Sequence, residues 1–120
     1  MAFGPGDLPA LRARVAAFAA DFLAGDRLDD LVLVAHELAA NVIRHGGGRG
    51  RLRLWWERGR AVCRVSDSGP GVSGTVPYGS DPPSPGMPGG RGLWIAQRLS
   101  VLRIDTGPAG TTVTATILPN

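Results

Sequence analysis

The sequence predicts an α+β two-layer sandwich, in which a mixed, mostly antiparallel sheet of four to five strands is covered on one face by three helices. Three observations carry that prediction. Two long stretches near the start repeat apolar residues at helical spacing. Four later runs alternate apolar and polar residues at strand spacing. A short helical stretch, preceded by a long loop, separates the second of those runs from the third.

Leu8, Leu11, Val15, Phe18 and Phe22 recur at three- and four-residue steps, so one amphipathic helix is expected over residues 8–24. Asp7 is placed to cap it, Pro9 suits a first turn, and Gly25 ends it. A second helix is expected over residues 27–45, with Asp26 as its cap and Asp29 and Asp30 at the positive end of its dipole. Leu28, Leu31, Val32, Ala35, Ala39, Val42 and Ile43 form its buried arc. At ~100° per residue, Glu37, Asn41 and His45 fall on a separate stripe. Gly46, Gly47 and Gly48 stop the helix.

Leu52, Leu54 and Trp56 alternate with Arg51, Arg53 and Trp55, Glu57-Arg58-Gly59-Arg60 reads as a hairpin turn, and Ala61, Cys63 and Val65 alternate with Val62, Arg64 and Ser66. By parity Asp67 shares the buried side with Cys63 and Val65. Residues 68–90 hold 7 Gly and 6 Pro in 23 positions and fit neither helix nor strand. A short helix then opens after Gly92, followed by a strand at 101–105 and another in which Thr112, Thr114 and Thr116 alternate with Val113, Ala115 and Ile117. Residues 1–4 offer a short fifth strand.

A length of 120 residues suits a single domain spanning the chain, at ~100–200 residues per domain. With 43% hydrophobic and 19% charged residues, the composition excludes a largely disordered chain. No apolar run approaches the ~20 residues that span a bilayer. No secretory signal is expected, because residues 1–7 lack a basic region and an apolar stretch. The lone Cys63 permits no internal disulfide and fits a reducing cytoplasm. The net charge is only +3, without the dense basic patch of a nucleic-acid binder. All 13 basic residues are Arg. That excludes a P-loop and a protein-kinase fold, both of which place a Lys on the nucleotide phosphates.

Three features carry chemistry. Glu37 and Asn41, one turn apart, set a proton-accepting carboxylate beside an amide oxygen able to hold a metal ion. Asp67-Ser68-Gly69-Pro70-Gly71 stands at a strand end, where glycines admit close backbone approach to a ligand. Gly89-Gly90-Arg91-Gly92-Leu93 opens a helix, whose free N–H groups and dipole suit phosphate. Taken singly, the first pair reads as a solvated helix face, and each glycine cluster reads equally as a turn or a site.

In this order and spacing the three resemble the nucleotide site of the GHKL (Bergerat-fold) ATPases. Glu37-x-x-x-Asn41 resembles their N box, Asp67-x-Gly-Pro-Gly71 their G1 box, Gly90-Arg91-Gly92-Leu93 their G2 box, and Gly110-Thr111-Thr112 their closing Gly-Thr motif. Within that superfamily the Glu-Leu-Ala-Ala-Asn and Arg-His-Gly segments are similar to anti-sigma-factor serine kinases of actinobacterial type. The chain departs from the pattern with Val42 after the N-box Asn, where Ala is common, and with His36 before the Glu, where a small polar residue is common.

The resemblance implies an Mg-ATP site. Asn41 would hold Mg²⁺, and Glu37 would be the catalytic base that draws a proton from an attacking hydroxyl. Asp67 would accept a hydrogen bond from the adenine amino group, with Gly69 and Gly71 giving the base room. Backbone amides of Gly90, Arg91, Gly92 and Leu93 would hold phosphate, Arg91 adding charge, and Thr111 or Thr112 would bond near the adenine. Residues 68–90 would be a lid over ATP. The implied function is a cytoplasmic serine/threonine protein kinase that switches partners between a sigma factor and an antagonist protein, with a homodimer open to it. The alternative is a non-catalytic ATP-binding regulatory module from a larger sensor protein. A third reading, a nucleic-acid-binding sheet, rests on Arg49, Arg51, Arg53 and Trp55. A solvated sheet face is the simpler account of those four residues, and a protein-partner surface the next.

His36-Glu37-Leu38 mimics a phosphoacceptor box, but only 35 residues precede His36, too few for the dimerisation hairpin such a box sits on. His45 is placed to interact with the last carbonyls of its helix, and Cys63 and Trp94 are read as core.

Overall fold

A computed structural model describes residues 1–67 and 90–119, without the side chain of Arg91. Gly69, Gly71 and the lid expected at 68–89 lie outside the described residues. The elements run β1 (Ala2–Phe3), α1 (Leu8–Ala19), α2 (Asp26–His45), β2 (Gly50–Glu57), β3 (Arg60–Asp67), α3 (Gly90–Leu99), β4 (Val101–Gly107) and β5 (Gly110–Ile117).

The five strands form one sheet in the order β1-β2-β3-β5-β4, and every described pairing is antiparallel. This bears out the α+β sandwich and corrects the mixed sheet expected from the sequence. Two-residue connections explain the pairing of neighbours. Arg58 (φ 51°) and Gly59 (φ 77°) take the left-handed conformations that a tight hairpin needs, so β2 folds back on β3. The short fifth strand is real: besides the Ala2–Arg51 pairing, the Leu52 N–H donates to the Met1 carbonyl at 2.7 Å.

The alternation in the strands decides which face the helices cover. Leu52, Ala61, Cys63, Val65, Val113, Ala115 and Ile117 are buried in one cluster with Leu11, Val15, Leu31, Val34, Leu38, Leu93 and Ala96 of the helices. Burying such a side chain is worth ~1.5–3 kcal/mol, which fixes the register of each strand. Cys63 is core as expected, and burial pushes its thiol pKa up to about 12. Trp94 is only half-buried, with the Arg98 guanidinium 5.6 Å from its ring centroid.

Helix α1 ends at Ala19, five residues before the expected position. The chain turns there, with the Phe22 and Leu23 N–H groups both donating to the Ala19 carbonyl. Leu23 drops into the core and Phe22 stacks on Trp56 with ring centroids 4.7 Å apart. That stacking outweighs the helical position the spacing suggests. Neither expected aspartate cap forms. Asp7 accepts the Gly4 N–H at 2.8 Å instead of capping α1, and Gly25, not Asp26, occupies the N-cap position of α2.

Candidate functional site

At one end of the helix-facing side of the sheet the apolar alternation gives way to a polar row. Asp67 continues the buried face after Cys63 and Val65, and the register sets it opposite Thr111 on β5. Thr111 in turn stands opposite Thr106 on β4, with the two hydroxyl oxygens 2.8 Å apart. Thr111 is the buried polar side chain of the described core, at 4% exposure. Thr112, one residue on, faces the other side of the sheet with Thr114 and Thr116. Of the two threonines expected at the site, the strand pleat brings only Thr111 beside Asp67, and Thr112 is corrected to the outer face.

Two glycines show how closely the helices meet this row. A Cβ added to Gly46, the C-cap of α2, would lie 2.6 Å from Oδ2 of Asp67. The carboxylate of Asp67 therefore packs against the end of α2. A Cβ added to Gly92 would lie 2.6 Å from Oε2 of Glu37. The N-box carboxylate therefore lies against the first turn of α3, which brings two of the three sequence features together. Its position suits a carboxylate, since the amides of that first turn have no partner within the helix and carry the positive end of its dipole.

Asn41 is half-buried, one turn beyond Glu37 on the same stripe. Glu37 and Gly46 stand nine positions apart along α2 and its C-cap, a span of ~13 Å. An elongated ligand laid along it would meet Glu37 and the α3 amides at one end and Asp67 at the other. Leu93 is 1% exposed, so its side chain anchors α3 in the core while its amide stays in the first turn.

A cavity of about 440 Å³ opens beside Asp67 on the β1 side, lined also by Phe3, Asp7, Arg49, Arg51 and Ser66. It touches Asp67 but not Glu37 or Asn41, so it marks one edge of the site. Two participants escape sequence reading: Gly46 as the seat of Asp67, and Thr106 as the partner of Thr111. Both depend on helix packing or cross-strand register, which spacing along one element does not reveal. Arg49, read from the sequence only as part of a basic sheet face, stands on the cavity wall. His36 is engaged elsewhere, its Nδ1 accepting from Arg12 of α1 at 3.0 Å. His45 is exposed in the last turn of α2.

Among the described residues no group of three or more His, Cys, Asp or Glu side chains gathers as a metal site. The single amide of Asn41 fits a different kind of ion. Mg²⁺ characteristically takes one or two protein oxygens and completes its shell with phosphate and water.

Residues 1–117 match the family model of the histidine kinase-like ATPase domain. A curated relative, the sensor histidine kinase MctS of Rhizobium johnstonii, is 35% identical over 103 residues, covering 79% of this chain and 21% of that protein. The chain thus spans about a fifth of the length of the curated relative it matches. Among solved structures, the histidine kinase domain of the Erythrobacter litoralis EL346 blue-light activated histidine kinase superposes with a TM-score of 0.62 at 21% identity, covering 92% of this chain and 64% of that one. The mycobacterial sensor histidine kinase MprB superposes with a TM-score of 0.61 at 19% identity, covering 100% of this chain and 99% of that one. These two likenesses show the shared fold. The relatives are sensor histidine kinases, and none of those named here is an anti-sigma-factor kinase.

Proposed function

The chain belongs to the histidine kinase-like ATPase domain family, and we propose that it is an Mg-ATP-binding module serving a larger signalling protein. The placement of Glu37 against the first turn of α3 carries this reading, because it joins the carboxylate–amide stripe of α2 to a phosphate-binding helix start. The relation to a much longer sensor kinase supports the larger protein.

In this reading Asp67 accepts a hydrogen bond from the adenine amino group, and Thr111 beside it contacts the same base. The α3 amides from Gly90 to Leu93 receive the phosphates, with Arg91 adding charge. Asn41 would hold Mg²⁺, which when bound neutralises phosphate charge. Glu37 keeps a carboxylate one turn from Asn41, able to take a proton from an incoming group.

That last feature favours a second reading, transfer of phosphate to a Ser or Thr of a partner protein, as in a partner-switching anti-sigma-factor kinase. There Glu37 would accept the hydroxyl proton while the hydroxyl oxygen forms the new P–O bond and ADP departs.

Titration calorimetry with Mg-ATP, and radiolabel transfer to candidate partner domains, test both. Asn41→Ala should lower Mg-dependent ATP affinity. Glu37→Ala should leave affinity equal or higher, because it removes a negative charge near the phosphates, while any transfer to a hydroxyl falls ~10²–10⁴-fold. Absence of ATP binding contradicts both readings. Tight ATP binding with no transfer to any hydroxyl leaves the module reading alone.

A further inference from the structure

The face of the sheet turned away from the helices holds a cluster of arginines that the nucleotide site does not use. On β2 and β3 the register sets Arg53 directly opposite Arg64, with Arg51 two residues away on the same side. Like charges directly opposite on paired strands are destabilising. A cluster of this kind is ordinarily relieved by a carboxylate. Here the ion pairs among the described residues are Arg27–Asp30 and Arg103–Asp105, so Arg51, Arg53 and Arg64 have no described carboxylate partner.

Instead the two opposed guanidiniums are held in place by uncharged groups. The Arg64 carbon Cζ lies 5.0 Å and that of Arg53 5.7 Å from the centroid of the Trp55 ring. Arg64 Nε also donates to Thr114 Oγ1 at 3.1 Å. Val62, opposite Trp55, is 2% exposed although it lies on this outer face. The arginines thus surround a small apolar island, their side chains ordered before any partner arrives, which lowers the entropy a partner must overcome.

We propose that this face is a docking surface for an acidic segment of a partner protein, whose carboxylates bridge Arg53 and Arg64. A planar guanidinium matches a carboxylate with two parallel hydrogen bonds, and a bridging carboxylate removes the repulsion between the opposed pair. The arginines without a described carboxylate partner include Arg51, Arg53 and Arg64 of β2 and β3, while Glu57 ends β2 on the same side opposite Arg60 and Asp105 lies 3.4 Å from Arg103 on β4. A nucleic-acid strand needs open aromatic rings for stacking. Trp55, the ring on this face, is already engaged by two guanidiniums. A second copy is the poorer occupant. Its exposed Asp21, Asp26 and Asp29 belong to the helical layer, and a contact between unlike faces would propagate rather than close.

The test uses the whole chain, a short fluorescent peptide rich in Glu and Asp, and an oligothymidylate of equal charge, with binding followed by anisotropy at low salt. The double variant Arg53→Ser/Arg64→Ser should weaken peptide binding about tenfold, while Arg14→Ser/Arg44→Ser, which removes the same charge from exposed helix positions, should change it less than ~2-fold. The peptide should also bind the unaltered chain more tightly than the oligothymidylate does. Mg-ATP affinity, measured alongside, reports that the double variant is folded. If folding fails, Arg53→Ser alone, at an exposed position, should weaken binding about threefold. Equal losses in the two double variants, tighter binding of the oligothymidylate, salt-insensitive self-association lost with Arg53 and Arg64, or no peptide binding would each overturn the proposal.

Discussion

Asp67 owes its place to strand parity, and its partners to the two strands and one helix that meet it. A carboxylate there distinguishes an amino group from a carbonyl, so ATP should bind better than GTP. Losing a hydrogen bond to a charged group costs ~1.5–3 kcal/mol, which is about 10- to 150-fold in affinity. Asp67→Asn should erase that preference, and Thr111→Val should reduce ATP affinity, whereas Thr112→Val, on the outer face, should leave it unchanged. Competition titration of the two nucleotides checks all three. Cys63 gives a separate expectation about stability. Its thiol pKa is raised from 9.0 to about 12 by burial, so the folded chain holds the proton more tightly than the unfolded one. The thiol's contribution is fully present below pH 9 and is lost as pH rises from about 9 toward 12. Denaturant midpoints should therefore fall above about pH 9, and native-state alkylation at neutral pH should be slow. Cys63→Ala should flatten that alkaline decline. An unchanged decline would place its cause elsewhere.

At the scale of elements, the two glycines that touch carboxylates are the tightest joints between helices and site. Gly46 has φ −104°, outside the left-handed region, so Gly46→Ala acts by pushing on Asp67 and, less closely, on the Cα of Val42. It should lower ATP affinity about tenfold with little loss of secondary structure. Gly107→Ala, with open space around its added Cβ, is the matching control and should change nothing. Gly92→Ala presses on Glu37 in the same way and should act at the phosphate end, lowering transfer more than binding. The elements also show where sequence reading reaches. The bounds of α2 were legible almost to the residue, because Leu31, Ala35, Ala39 and Val42 keep its period and three glycines stop it, although Val34 and Leu38, also buried, lie outside the expected arc. The end of α1 was not. Phe18 and Phe22 keep helical spacing, yet Phe22 leaves the helix to stack on Trp56, a residue 34 positions away. The aspartate caps misled for a related reason, since Asp7 is claimed by the turn that joins β1 to α1.

For the molecule as a whole, the order of elements was legible from their patterning, whereas the grouping of Glu37, Asn41, Asp67 and the α3 glycines was read from a family resemblance, of which the structure places Glu37 against Gly92 of α3. What stayed hidden was set by pairing across distance: β5 lies between β3 and β4, and this insertion places Thr111 beside Asp67 and Thr106 beside Thr111. The two proposals put separable tasks on the two faces of the sheet, nucleotide on the helix side and an acidic partner on the outer side. Hydrogen exchange with and without Mg-ATP tests the central claim most directly, because it locates the nucleotide residue by residue. The α3 amides from Gly90 to Leu93, the end of α2 near Gly46, and the Asp67–Thr111 pairing should all exchange more slowly with nucleotide, while Arg53 and Arg64 on the outer face should not change. Protection confined to the outer face, or none anywhere at saturating Mg-ATP, would contradict the assignment of the site.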